Sequence, residues 1–384
     1  MEEVIIFIAI SVISGLILSY ILSKSDFPTI TGLIIIGIVI SFIPTLDKFL
    51  TSFGSIFKII IELAINILLF ETGLEIIYLK YNKKIILSAI AQSFFTFLII
   101  FLISKIFFKL AIIEGILIAI IWMVTGSDIA ITLIRKLKVN QDTKLKLGAI
   151  VVFDDLIAEI FFFLFFPLLK FKTIFQNEPT NAILLTVGEI ILSIALGILL
   201  GLLFSRFERY GFNKFPQIIT SFSFILLFVG ISEYLKLHSI IVSLIAGIVF
   251  SNTSKNEIIK IVRFSLKEID QIFYTLFIIY SISYVGLIRI EKFLLPSILI
   301  LFIRLIGKSV GAIIIQKLKI IETNSIKNII ITLIPQSMLS AYFAYLSGEY
   351  LTIFGTSIFT ATITSIIMFE ILGYYLIKKF ALNE

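Results

Sequence analysis

The sequence has no cysteine, and this alone excludes disulfides, thiolate metal sites and cysteine nucleophiles. It has a single histidine, His238, so no histidine cluster can bind a metal; a lone histidine of this kind reads as an interfacial loop residue before a pH sensor. Charged residues make up only 15% of the chain, against about a quarter in soluble domains. No long polar segment interrupts the apolar text, which leaves no room for an extramembrane enzyme domain. The formal net charge of +7 is no sign of nucleic-acid binding here, because Lys and Arg in short loops set membrane topology. The first apolar segment lacks a small-residue cleavage site and reads as a retained helix.

What remains is hydrophobic: 59% of residues, with a mean hydropathy of +1.13. Apolar windows of about 20 residues, each enough to cross a bilayer as helix, recur along the whole length. The expectation is an all-α polytopic membrane protein with about thirteen spans, the sixth near 145–169 and the eleventh near 293–318. The lipid bilayer is its medium. Loops after odd-numbered spans hold most of the Lys and Arg, among them Lys83, Lys84, Arg135, Lys136, Lys144 and Lys146. The N-terminus is then expected outside and the C-terminus in the cytoplasm.

The two halves of the chain echo each other. "PTITGLIIIGIVIS" (28–41) resembles "HSIIVSLIAGIVFS" (238–251), and "FETGLEIIYLK" (70–80) resembles "SYVGLIRIEKF" (283–293), at nearly one offset. A first repeat over 1–169, a linker helix over 181–207 and a second repeat over 215–380 follow, running in opposite directions within a single transporter unit over 1–380. Inverted repeats are common in secondary transporters. The same offset carries "TGSD" (125–128) onto "PQSM" (335–338). Gly126 weakens one helix and Pro335 removes an amide donor from the other. Thr125, Ser127, Asp128 and Gln336 stand at these breaks. Unwound backbone at membrane depth is tolerated only when it is buried in protein or lines a cavity, so paired breaks point to a substrate site.

"VVFDDLIAEI" (151–160) places Asp154, Asp155 and Glu159 in the sixth span, and Arg304 and Lys308 interrupt the eleventh. Asp155 and Glu159 are four residues apart, as are Arg304 and Lys308, so each pair shares a helix face. Counted from the cytoplasmic ends at 1.5 Å per residue, Lys308 is level with the aspartates and Arg304 with Glu159. Two rungs are expected, Lys308 on the aspartate pair and an ion pair between Glu159 and Arg304. Three acids against two bases leave the cluster one positive charge short. One proton or one alkali cation would complete it, bound at Asp155 with oxygens from Thr125, Ser127 and the broken-helix carbonyls. A site that holds one or the other and can face either side exchanges them. No cofactor is needed beyond the transported alkali cation, expected to be Na⁺ from the resemblance below, and H⁺.

These motifs resemble the cation:proton antiporter-2 family of monovalent cation/proton antiporters over nearly the whole chain. "LLFETGLE" (68–75), "VVFDDLIA" (151–158), "RLIGKSVGA" (304–312) and "FEILGYYLIKKFALNE" (369–384) carry the resemblance. It implies that Asp155 is the ion carrier, that Asp154 pairs with Lys308, and that the protein works as a homodimer in the cell membrane. It also implies a mobile core, expected over 56–169 and 293–379, and dimerisation helices, expected over 1–44 and 181–252. Three features depart from the pattern: "PQSMLSAY" in place of an Arg-Gly-Glu-like motif, Glu71 at a usually neutral position, and Asp128 at the first break. Many relatives carry a cytosolic nucleotide-binding domain, and none is expected here. The function expected is exchange of Na⁺ or Li⁺ for H⁺, electrogenic if Lys308 acts as in electrogenic relatives. A K⁺/H⁺ or electroneutral exchanger is the alternative, and no enzyme activity is expected. An intramembrane aspartyl protease is a distant alternative, since its two aspartates must face each other from separate helices.

Overall fold

In a computed structural model the chain folds almost entirely into helices. The structure describes all residues except 1, 25–28, 44–45, 76–82, 138, 175–178, 210–216, 319–325, 349, 352–356 and 382–384. Fourteen helices lie among the described residues. They are α1 (Glu2–Ser23), α2 (Thr29–Ser41), α3 (Leu46–Glu75), α4 (Lys83–Phe108), α5 (Ile112–Met123), α6 (Ser127–Lys136), α7 (Gln141–Ile174), α8 (Pro179–Arg209), α9 (Gln217–Tyr234), α10 (Ser239–Thr253), α11 (Asn256–Lys317), α12 (Ile326–Leu333), α13 (Met338–Gly348) and α14 (Ser357–Ala381). Among the described residues, four stretches are long and apolar enough to cross a membrane by length and composition: Lys83–Phe108, Val187–Glu208, Gln217–Tyr234 and Phe293–Lys317. The expected tenth and eleventh spans are not separated by a loop, because α11 runs through both as one helix of 62 residues with Pro296 inside it. An amide missing at one position does not stop a helix whose flanking carbonyls can still pair.

The chain divides into two compact units. The first contains residues 1–16, 43–80 and 177–284. Its α10 packs on α3 and α8 through small residues that let backbones approach. A Cβ on Gly247 would stand 2.3 Å from the Phe70 carbonyl oxygen, and one on Gly73 would stand 2.5 Å from that of Leu244. Beside this contact Phe70 meets Phe204, Phe228 and Phe250. Asn66 ties α3 to α10 as well, accepting from Ser243 and donating to Ser239. The same packing groups α3 with α8, α9 and α10. His238 caps the start of α10, with its Nε2 3.5 Å from Glu189.

The second unit contains residues 17–42, 81–176 and 285–384. Its α2 packs on α14. Here α7 is the central element, packed against α4, α5 and α6. Gly307 and Gly311 on α11 face α4, where added Cβ atoms would come within 3.0 Å of Ile100 and 2.8 Å of Gln92. Thr96 then reaches across to the Gly307 carbonyl at 3.2 Å.

These contacts predict a contrast between glycines. Gly247→Ala should destabilise the protein by about 1–3 kcal/mol, because the intruding atom meets backbone. Gly148→Ala on α7 meets nothing within 4 Å and should be neutral or stabilising. Melting temperatures of the two purified variants check this.

Candidate ion site

Two interrupted helices meet in the second unit. Helix α5 ends at Met123 and α6 begins at Ser127; α12 ends at Leu333 and α13 begins at Met338. The breaks cross as a short antiparallel bridge between Thr125 and Gln336. The Gly126 amide donates to the Pro335 carbonyl at 2.8 Å. Gly126 has an ordinary negative φ of −73°, so it is not there for a left-handed turn. A Cβ would lie 3.1 Å from the Gln336 carbonyl oxygen, and close approach is the reason for glycine. Gln336 fastens the bridge to α13 and α14, donating to Ser340 at 3.1 Å and accepting from Ser365 at 2.8 Å.

Each break leaves helix C-terminal carbonyls without amide partners. Arg304, fully buried on α11, supplies the missing donors. Its guanidinium donates to the carbonyls of Trp122 at 2.5 Å, Pro335 at 2.7 Å, Ile334 at 3.3 Å and Leu333 at 3.4 Å. One cation thus serves the negative ends of both α5 and α12. The ring of Phe369 lies 5.6 Å from the guanidinium carbon. The expected ion pair between Glu159 and Arg304 is not formed. The guanidinium fork is spent on backbone oxygen, and the charge that acts on Glu159 is that of Asp155. Helical depth fixed the height of the two residues, but not the direction of the side chains.

The lower rung is present. Lys308 Nζ lies 2.6 Å from Asp154 Oδ2, both side chains fully buried. The hydroxyl of Thr125, at the first break, donates to the same oxygen at 2.5 Å. Ser93 of α4 donates to Oδ1 at 2.6 Å. Asp154 is 0% exposed and both its oxygens are engaged, as a buried charge requires. Asp155 follows it on α7 and keeps 7% exposure, within the electrostatic reach of Arg304 and Lys308. Glu159 is 1% exposed, one turn further along. The side chains of Ser127 and Asp128 lie outside the described residues, although their backbone starts α6.

Sequence reasoning missed Ser93 and Ser365. The signal for Ser93 is the polar run Gln92, Ser93 and Thr96 inside an otherwise apolar α4. Ser365 lies in a helix with several hydroxyls, and nothing in the local text separates it from Thr360, Thr362 or Thr364.

Two paired breaks, a buried lysine–aspartate pair and a second aspartate beside it come together in the second unit. A family model described as "Sodium/hydrogen exchanger, transmembrane" matches residues 8–378. The chain belongs to the sodium/hydrogen exchanger family. It is a multi-pass membrane antiporter of sodium and protons, not an enzyme. The fold is similar to that of the sodium proton antiporter MjNhaP1 from Methanocaldococcus jannaschii, solved at pH 8. That match has a TM-score of 0.72 at 15% identity and covers 100% of this chain and 99% of that one. No curated protein sequence gives a significant match. As an exchanger, the chain has no call on the aspartyl protease alternative, and its two aspartates are neighbours on one helix.

Loss of Arg304 should undo the crossing. Arg304→Ala leaves buried carbonyls without donors, each at about 1–3 kcal/mol. Arg304→Lys restores the charge but not the planar fork, and should recover only a minor part of the loss. Thermal unfolding of both variants checks this; a fully stable Arg304→Lys protein would contradict it.

Proposed function

We propose that Asp155 is the group that binds sodium and proton alternately, while Asp154 is the fixed partner of Lys308. The observation that carries this reading is the unequal exposure of two adjacent acids, one of them locked to a buried lysine. Asp154 is satisfied by Lys308, Thr125 and Ser93. Its neighbour Asp155 keeps 7% exposure against 0% for Asp154 and lies in the field of Arg304 and Lys308. A small alkali cation favours oxygen, and Asp155, with carbonyls and hydroxyls at the breaks around Thr125, supplies that chemistry. Ser127 and Asp128 at the start of α6 are further contributors in this proposal. Sodium and proton then compete for one carboxylate, and occupancy by either one removes a bare charge from a dry site. Alternating access follows if the core helices over 56–169 and 293–379, which carry the site, move while the rest stays fixed. In this reading helices within 1–44 and 181–252 hold the homodimer contact, and the protein sits in the cell membrane with its N-terminus outside and its C-terminus in the cytoplasm.

We also propose that exchange is electrogenic, with two protons moved per sodium. Lys308 or the aspartate pair would hold the second proton. A net charge crossing the full potential is worth about 2.3 kcal/mol per 100 mV. One proton per sodium would be electrically silent.

Two experiments test these points. Asp155→Asn should fold and melt normally but show no sodium-driven proton flux in proteoliposomes, because the amide carries neither charge nor exchangeable proton. Substantial flux would sink the assignment. An imposed K⁺/valinomycin potential, with K⁺ transport by the protein first shown to be negligible, should shift the rate and end point of wild-type exchange, and Lys308→Gln should weaken the shift. Indifference to the potential in the wild type means electroneutral exchange.

A further inference from the structure

Glu159 is used by none of the contacts above. It is 1% exposed, in the middle of α7, and its Oε2 has no hydrogen-bond partner among the described residues. The two bases that could answer it are committed elsewhere, Lys308 to Asp154 and Arg304 to four carbonyls. The next turn of α7 offers no donor either: Phe162 stacks on Phe343 at 3.9 Å and Phe163 meets the same ring edge-on. A bare carboxylate in such surroundings is unfavourable, and a leucine or glutamine would pack there without that penalty. The acid asks for a ligand.

The charge on Asp155 acts directly on Glu159. Carboxylates at i and i+4 sit on one helix face with Cβ atoms about 5–6 Å apart. That separation lets each give one oxygen to a single small cation between them. The charges then close. Asp154 is balanced by Lys308, and Asp155 and Glu159 together are balanced by one monovalent cation and Arg304, whose field reaches Asp155. No group of three or more His, Cys, Asp or Glu among the described residues is placed to hold a metal ion. Two carboxylates suit a monovalent cation better than a divalent one, which takes more oxygen ligands and more negative charge.

We propose that Glu159 is a second carboxylate ligand of the transported sodium, which bridges Asp155 and Glu159. This rests on the reading of Asp155 as the carrier.

The test is sodium binding to the purified full chain, followed by calorimetry and by the rise in melting temperature as NaCl replaces choline chloride at constant ionic strength. Wild type should be stabilised by sodium. Glu159→Gln should melt in choline at or above the wild-type temperature, yet bind sodium at least about tenfold more weakly. Glu159→Asp keeps the charge on a shorter arm and should recover part of that affinity. A sodium Kd for Glu159→Gln within about twofold of wild type overturns the proposal. If that variant does not fold, a Glu159→Asp protein with unaltered sodium affinity overturns it instead. Asp155→Asn, measured in parallel, separates the two claims. If it binds sodium as wild type does, the carrier reading fails and this inference fails with it. If it loses sodium while Glu159→Gln keeps it, only this inference fails.

Discussion

The contact between Lys308 and Asp154 is the constraint on which the second unit is built. Two opposite charges lie 2.6 Å apart with no access to solvent. A buried pair offsets its desolvation only when the remaining valences are filled. Here Ser93 and Thr125 fill those of the acid, so one carboxylate draws together α4, the first helix break, α7 and α11. The glycines of α11 serve the same end. Gly307 and Gly311 let α4 come close enough for Thr96 to reach the α11 backbone, and this sets Lys308 on the side where Ser93 and Asp154 meet. In the proposed division of roles, Asp154 serves structure and Asp155 beside it serves transport.

The crossing of the broken helices presents the opposite problem, an excess of acceptors. Carbonyl ends of α5 and α12 converge in a dry place, and a guanidinium is the side chain with enough donors in a plane to serve them. Arg304 therefore acts as a built-in cation at the negative helix ends, and the bridge between Thr125 and Gln336 keeps the strands of the crossing in register. A mobile cation is not needed there. The proposed place for one lies along α7, at Asp155 and Glu159.

Much of this was legible in the text of the chain. Carboxylates and bases are conspicuous in apolar runs, and residues breaking two such runs at one offset pointed to the paired interruptions at Gly126 and Pro335. Counting rise along a helix put Lys308 level with the aspartate pair. The same counting failed for Arg304, because depth says nothing of azimuth and because its partners are backbone carbonyls, which every residue has. Ser93 and Ser365 were hidden for a related reason: a hydroxyl in a membrane helix bonds its own backbone as readily as a distant acid, as Ser88 and Thr364 do. The grouping of α3 with α8, α9 and α10 depends on the meeting of Gly73 and Gly247, and glycine spacing alone names no partner helix.

The central claim is a division of labour, with Asp154 and Lys308 as scaffold and Asp155 as carrier. It is tested most directly by removing the scaffold pair as a pair. Sodium-driven proton flux should be measured in proteoliposomes bearing Asp154→Asn together with Lys308→Gln. The double variant buries no uncompensated charge and keeps hydrogen-bonding groups in place. If the account is right, it retains sodium/proton exchange, and it is more stable than either single variant. A folded double variant without exchange would contradict the account, because it would show that sodium/proton exchange at Asp155 needs Asp154 or Lys308 for more than its scaffold.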